Sequence, residues 1–277
     1  MDANIVDYSP NQALQPFIAQ FWTGSFNSAN SGRQSMRIIP NGYVELIIHL
    51  TDQHCDLHDH YGWSQSPDYT IIGLHTHPYE VQFAREVKVF AIRFMPEGVY
   101  NIFGVPAAEF KEGYNDMSLV LGNEFRTFSE QLREKSSTNE MISFTEEYLI
   151  KTTLRSRKDI NYVNRAAALI RSTKGKIRIE DLPELVHISL RQLQRAFKDK
   201  IGVSPKHYLR LSRINEVHRL LEEEHSLNLT QIAYQSGYTD QAHFIRDYKS
   251  ITGHKPTIFI KERNQFIVNS VVAKSLL

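Results

Sequence analysis

Two groups of residues in this chain have the types and spacing to do chemistry. The first is rich in imidazole. His49, His54, His58, His60, His75 and His77, all the histidines of the first half, fall within 29 residues, and Cys55, the single cysteine, lies among them. CDLHDH (55–60) and HTH (75–77) space imidazoles at i, i+2, which on a strand puts both members of a pair on one face. Neutral imidazoles and a thiolate suit zinc or copper, so His58, His60, His75 and His77 are the candidate ligands of a metal centre. The second group is cationic. Arg191, Gln194, Arg195 and Lys198 stand at i, i+3, i+4 and i+7, so a helix carries them as one stripe with no carboxylate in it. Forked guanidinium and amide groups in such a row match guanine and adenine edges in a major groove.

The imidazole group reads better as solvated surface than as a metal centre. DQHCDLHDHYGWSQSP (52–67) has the polarity of a loop, and no metal or other cofactor is expected. Asp56 and Asp59 beside Cys55 raise a thiol pKa rather than lower it, which argues against a reactive thiolate. No Ser-His-Asp arrangement, phosphate-cradling glycine loop or pair of carboxylates stands out, so the chain is not expected to be an enzyme.

The cationic stripe sits in a segment that occurs twice. LQRAFKDKIGVSP (193–205) recurs 51 residues later as FIRDYKSITGHKP (244–256), with Arg195 matching Arg246, Lys198 matching Lys249, Gly202 matching Gly253 and Pro205 matching Pro256. Ser189 is suited to cap a helix whose other face is Leu193, Ala196 and Phe197. IEDLPELVHI (179–188) then supplies the first helix of a helix-turn-helix, and LTQIAYQSGY (229–238) does so in the second copy. There Gly237 serves the left-handed turn and Asp240 or Thr239 the cap. The second stripe is Ala242, Ile245, Arg246 and Lys249, whose apolar members suit thymine methyls. Between the copies, PKHYLRLSRINEVHRLLEEE (205–224) is one amphipathic helix, and its ~18 residues span about 27 Å. A connector of that length can hold two reading helices near the ~34 Å repeat of successive major grooves. One polypeptide would carry both half-readers, so the site read need not be palindromic. Ser189, Lys198, Lys206, Thr239 and Lys249, with the helix N-termini, are expected to contact phosphates.

The rest of the chain fits that division. Residues 1–160 hold 13 Lys and Arg against 20 Asp and Glu, and residues 161–277 hold 19 against 11, so only the second part is basic. The first part reads mainly as strands: VELIIHL (44–50), YTIIG (69–73) and KVFAIRFM (88–95), which fit a barrel or two-sheet sandwich. From about residue 118 the spacing becomes helical, over 118–135 and 140–156, and these helices are expected to pack on the barrel and pair two subunits. RSRKD (155–159) is the expected hinge. Periodic segments at 161–172, 180–187, 189–200, 205–224, 229–235 and 240–251 make the remainder all helix. No apolar run approaches the ~20 residues of a membrane helix. The single cysteine and the polar start point to the cytoplasm. The expected domains are 1–155 and 160–265, with 266–277 as a C-terminal tail.

Residues 161–263 resemble the DNA-binding domain of the AraC/XylS transcription regulators. The matching positions run from Ser189, Leu193, Arg195, Phe197, Gly202, Pro205 and Tyr208 to Ile232, Ala233, Gly237, Tyr238, Asp240, Phe244, Arg246, Tyr248, Gly253 and Pro256. The resemblance implies seven helices with two helix-turn-helix units, and base contacts from Arg191, Gln194, Arg195, Gln241, Ala242, Ile245 and Arg246. It implies double-stranded DNA and RNA polymerase as partners, and a homodimer. Two departures fall in the first unit. Pro183 removes a backbone donor, so the first helix should start late or bend, and His187 stands where glycine is common. More loosely, MRIIPNGYVELIIHL, TIIGLHTHP and FAIRFMPEGVYNIFGVPAAEF resemble the sensory domains of some of these regulators. That implies a cupin-like β-barrel with helices, sensing a small-molecule effector, dimerising, or both. Trp22, Tyr43, Trp63 and Phe94, with Phe26 and Phe90, are the candidate lining of an apolar effector cavity. The alternative is a metal-binding cupin-like sensor or enzyme domain fused to the DNA-binding one.

Overall fold

Alternation along the strands sorts the first half into an inner and an outer face. The computed structural model describes residues 2–27, 35–59, 62–83, 86–110, 113–155, 161–224 and 226–267. Its strands begin with β1 (Asp2–Tyr8), β2 (Ile18–Asn27), β3 (Ser35–Ile38), β4 (Val44–His49) and β5 (Cys55–Asp59). They continue with β6 (Gly62–Gln65), β7 (Tyr69–Ile72), β8 (Tyr79–Phe83), β9 (Glu86–Phe94), β10 (Tyr114–Asp116) and a final β11 (Phe266–Ile267). One sheet has the order β1-β2-β9-β4-β7-β10 and the other β11-β3-β8-β5-β6. The expected barrel therefore takes the form of two sheets. Val87, Val89 and Ala91 of β9 share a core with Leu57, Val81 and Phe83 of the second sheet. Phe90, Ile92 and Phe94, one residue out of phase, instead join Val99, Ile102, Phe125, Phe128, Leu132 and Leu149. Those partners belong to the covering helices α1 (Gly98–Phe103), α3 (Asn123–Arg133) and α4 (Thr138–Arg155), with α2 (Met117–Leu121) beside them.

Several expectations change here. Residues 55–59 and 62–65 are strands rather than loop, because β5 pairs with β6 and also with β8. Cys55 and Leu57 alternate inward while His58 stays exposed, so period two governs a segment whose mean polarity suggested otherwise. His75 and His77 lie in the connection from β7 to β8 rather than on a strand. The helix expected over 118–135 breaks at Gly122, whose φ of 73° belongs to the left-handed region. Most of the expected hinge, and His60, lie outside the described residues.

The second half contains α5 (Asn161–Ser172), α6 (Leu182–Val186), α7 (Leu190–Ile201), α8 (Pro205–Glu223), α9 (Leu229–Gln235), α10 (Gln241–Thr252) and α11 (Pro256–Lys261). One core joins them, including Phe197 of α7, Tyr208, Leu211, Ile214 and Val217 of α8, and Phe244 and Tyr248 of α10. Pro183 falls in the first turn of α6, where no intrahelical donor is lost, so the helix is short and not bent. His187 adopts φ 58°, closing α6 in the left-handed region. Among the described residues no helix is long and apolar enough to cross a membrane.

The halves are tied together through partly buried polar contacts. Arg171 donates to both carboxylate oxygens of Glu97, at 2.9 and 2.6 Å, and to the Tyr208 hydroxyl at 3.3 Å. The amides of Asn101 and Asn164 exchange bonds of 3.1 and 3.2 Å, and Asn215 Nδ2 donates to the Asn41 carbonyl at 2.6 Å. The Lys200 ammonium stands 4.3 Å from the centre of the Tyr100 ring. The stretch read as a tail begins with β11, which returns to the first half and pairs in parallel with β3.

Because the Glu97 side chain is only 2% exposed, removing it leaves the Arg171 charge in a largely desolvated seam with only the neutral Tyr208 hydroxyl as partner among the described residues. Glu97→Ala should cost about 3 kcal/mol in urea-induced unfolding, and adding Arg171→Met should restore part of it. A loss under about 0.5 kcal/mol, the scale of an exposed pair, would contradict the seam.

Candidate nucleic-acid interface and inter-sheet cavity

Each helix of the repeated segment is started by a side-chain cap. Ser189 Oγ accepts from the Gln192 N–H at 3.3 Å, and the Gln192 side chain bonds back to the Ser189 N–H, completing a capping box. Asp240 Oδ1 accepts from the His243 N–H at 2.7 Å, and this bond holds the Asp240 carboxyl below its usual range. The preceding turns share a bond pattern: the Ile188 N–H reaches the Pro183 carbonyl at 3.1 Å, and the Tyr238 N–H the Ala233 carbonyl at 3.0 Å. The left-handed residue is His187 in one turn and Gly237 in the other. The second turn is one residue longer before its cap, a difference invisible in the residue match.

Phe197 of α7 packs 6.2 Å from Tyr208 of α8, ring centre to ring centre. On α10, Tyr248 bonds His218 of α8 at 2.9 Å, and Asp247 accepts from Arg210 at 2.5 Å and from Tyr238 at 3.0 Å. The outward faces are left open. Arg191, Gln194, Arg195 and Lys198 are exposed and make no side-chain hydrogen bond or ion pair among the described residues. Other arginines of the domain are committed: Arg171 to Glu97, Arg210 to Asp247, Arg213 to the Gly175 carbonyl and Arg219 to Glu216. On α10, Ala242, Arg246 and Lys249 are exposed. Arg246 Nε bonds back to the Ala242 carbonyl at 3.4 Å, and Gln241 Oε1 accepts from Thr230 at 2.8 Å. Ile245 is half-buried against the helical core, so only part of it faces outward. Lys206 and Thr239 are exposed. The Ser189 hydroxyl proton is already given to Gln192 Oε1 at 2.8 Å.

The second feature is a cavity of about 90 Å³ between the sheets. Trp22 and Tyr43 line it, as does Phe26. Phe94 does not: with Phe90 it lies on the opposite face of β9, in the core beneath the helices. Trp63 does not either, being 39% exposed on β6 with its ring 5.0 Å from His58. Alternation, not aromatic character, decides this. Sequence reasoning missed Glu45 and Arg93, which pair inside the cavity, and Ile39 and Ile267, which bring the helical half to its wall. Charges at inward positions of VELIIH and FAIRF were the available signal. Of the metal candidates, His58 faces solvent and the His75 ring centre lies 4.3 Å from that of Tyr79, the two rings tilted, while His77 is exposed. Among the described residues no three His, Cys, Asp or Glu are placed to hold a metal ion. Burial of Cys55 pushes its thiol up to about 11, away from thiolate chemistry.

Comparison with known proteins follows the same division. Residues 183–262 match a family described as a helix-turn-helix domain, and residues 6–116 match a domain of unknown function. Over 67 residues the chain is 34% identical to the uncharacterized HTH-type transcriptional regulator YbfI of Bacillus subtilis, covering 24% of each chain. Over 80 residues it is 31% identical to the HTH-type transcriptional activator RhaS of Escherichia coli, covering 29% of this chain and 28% of that one. The match thus spans about a quarter of the length of these curated relatives. The structure of ToxT from Vibrio cholerae superposes with a TM-score of 0.50 over 87% of this chain and 98% of that one, at 14% identity, a likeness of fold.

Three histidines in these regions are held neutral. Burial, then the neighbouring His54, lowers His49 to about 4; burial lowers His75, whose Nε2 is enclosed without a partner, to about 4. Burial, then Arg263, lowers His218 to about 3. Each folded value lies below the ordinary 6.5, so the unfolded chain takes up protons first as pH falls. Stability should be full above pH 6.5 and decline toward pH 4, by about 1–2 kcal/mol per histidine between pH 7 and 5. Urea midpoints measured across that range check this, and a flat profile down to pH 5 would contradict it.

Proposed function

We propose that this chain is a sequence-specific DNA-binding transcription regulator of the AraC/XylS type, controlled through its N-terminal half; the helix-turn-helix match over residues 183–262 and the likeness to the activator RhaS support this reading. The single observation that carries this reading is the open stripe on α7. Guanidinium, amide and ammonium groups lie free there while neighbouring arginines are engaged. Leaving such groups unpaired in solvent is what a helix must do if its partner is a nucleic acid. In this reading α7 and α10 enter successive major grooves. Arg191, Gln194, Arg195, Gln241, Ala242, Arg246 and the exposed part of Ile245 reach base edges. Lys198, Lys206, Lys249 and Thr239 meet phosphates, and Ser189 contributes through the helix N-terminus it caps.

The inter-sheet cavity is the effector site of this reading. Its wall includes Ile39, which also belongs to the helical core, and Ile267, which follows α11. A ligand pressing on that wall would act on the helical domain directly. RNA polymerase and a second copy of the chain are the proposed protein partners, and the cytoplasm the proposed location.

Replacing Arg195 or Arg246 with alanine should cost about 1–3 kcal/mol of operator affinity and relax preference at one base position. Lys198→Ala should weaken binding to all sequences alike and flatten the salt slope by about one. Titrations of labelled duplexes at several salt concentrations separate the two effects. If both substitutions leave affinity and slope unchanged, the stripe is not the interface.

A further inference from the structure

The cavity between the sheets has one polar pole. Glu45 and Arg93 stand opposite each other in the β4–β9 ladder, with side chains 13% and 7% exposed. Arg93 Nε donates to one oxygen of Glu45, and Trp22 Nε1 donates to the other at 3.0 Å. The two Nη nitrogens of Arg93 have no hydrogen-bond partner among the described residues, although the side chain lines the cavity. The Tyr43 ring centre lies 5.7 Å from the guanidinium carbon. Tyr79, close enough to feel the charges of Glu45 and Arg93, lines the same pole with its hydroxyl unbonded among the described residues. Ile47, Leu57, Val81, Phe83, Val89 and Ile267 are among the apolar groups of the remaining wall.

Charge and size together narrow what can enter. Glu45 and Arg93 already cancel, so a carboxylate ligand would bring an uncompensated anion into a desolvated site. A pure hydrocarbon would displace water from the guanidinium edge and leave it unpaired. An uncharged carbonyl oxygen meets both conditions: it accepts from the Nη edge and adds no charge. The cavity, about 90 Å³, is smaller than the roughly 150 Å³ that admits the six-carbon ring of benzene, which limits the ligand to on the order of four non-hydrogen atoms.

We propose that this cavity binds a small uncharged carbonyl compound, a short ketone, aldehyde or lactone, with its oxygen on the free edge of Arg93 and its hydrocarbon body against Leu57, Val81 and Ile267. The proposal names the ligand class of the effector site described above and rests on that reading for its regulatory meaning, not for the binding itself.

Calorimetry on the full chain without DNA tests it, using acetone, acetate and isobutane as probes of four non-hydrogen atoms each. The ketone should bind saturably and at least about tenfold more tightly than the other two. Leu57→Phe, which fills the cavity and keeps the ion pair, should abolish that binding. The double variant Glu45→Gln with Arg93→Met, which removes the fork without stranding a charge, should reduce the ketone to the level of isobutane. Cooperative unfolding verifies that each variant is folded. Acetate binding as well as the ketone, isobutane binding as well, binding that survives Leu57→Phe, or no binding by any probe would overturn the assignment. Since no operator is involved, a chain that binds the ketone but no DNA would leave this site standing and remove only the regulator reading.

Discussion

A helix that reads DNA must leave one face without protein partners, so it can be fixed only by the other. Helix α8 meets that requirement for both candidate reading helices. It is buried along most of its length, including Tyr208, Leu211, Ile214, Val217 and Leu220. Phe197 of α7 packs on Tyr208, and Tyr248 and Asp247 of α10 bond His218 and Arg210. The two candidate reading helices are therefore positioned by one helix between them rather than by an unstructured linker. Removing that element would free both at once.

The same helix also couples the reader to the rest of the chain. Tyr208 accepts from Arg171, whose fork grips Glu97 of the first half, and Asn215 holds the Asn41 carbonyl. Asn41 lies beside the cavity and also lines it. At the far end of the domain, Phe266 sits in the helical core while its neighbour Ile267 faces the cavity. Two short stretches, residues 38–43 and 266–267, therefore belong to both halves. Any change in cavity volume falls on segments that are covalently continuous with, or bonded to, the helical domain.

How far the sequence disclosed this differs by region for physical reasons. The helical half was legible because its elements carry local signals: caps at Ser189 and Asp240, a glycine at 237, and an internal repeat that marks equivalent faces. The seventh helix, α11, came only from family resemblance, since six residues are too few for a periodic signal. In the strand half, β4, β7 and β9 were visible as apolar runs, but the hairpin of β5 and β6 was hidden by polar residues on its outer face. Phe94 and Trp63 were misplaced because aromatic character says nothing of which face of a pleat a residue occupies; Trp22 and Tyr43 share the cavity lining. Ile267 could not be foreseen, because its strand partner lies more than two hundred residues earlier.

The central claim is that one chain presents two unlike reading helices, held by α8, to adjacent turns of a duplex. Selection of bound fragments from a random pool of double-stranded DNA tests it most directly. The account predicts an enriched site with two different motifs centred about one helical turn, roughly 10–10.5 base pairs, apart and lacking dyad symmetry within the unit. Enrichment of one short motif alone, or no enrichment over the starting pool, would contradict it.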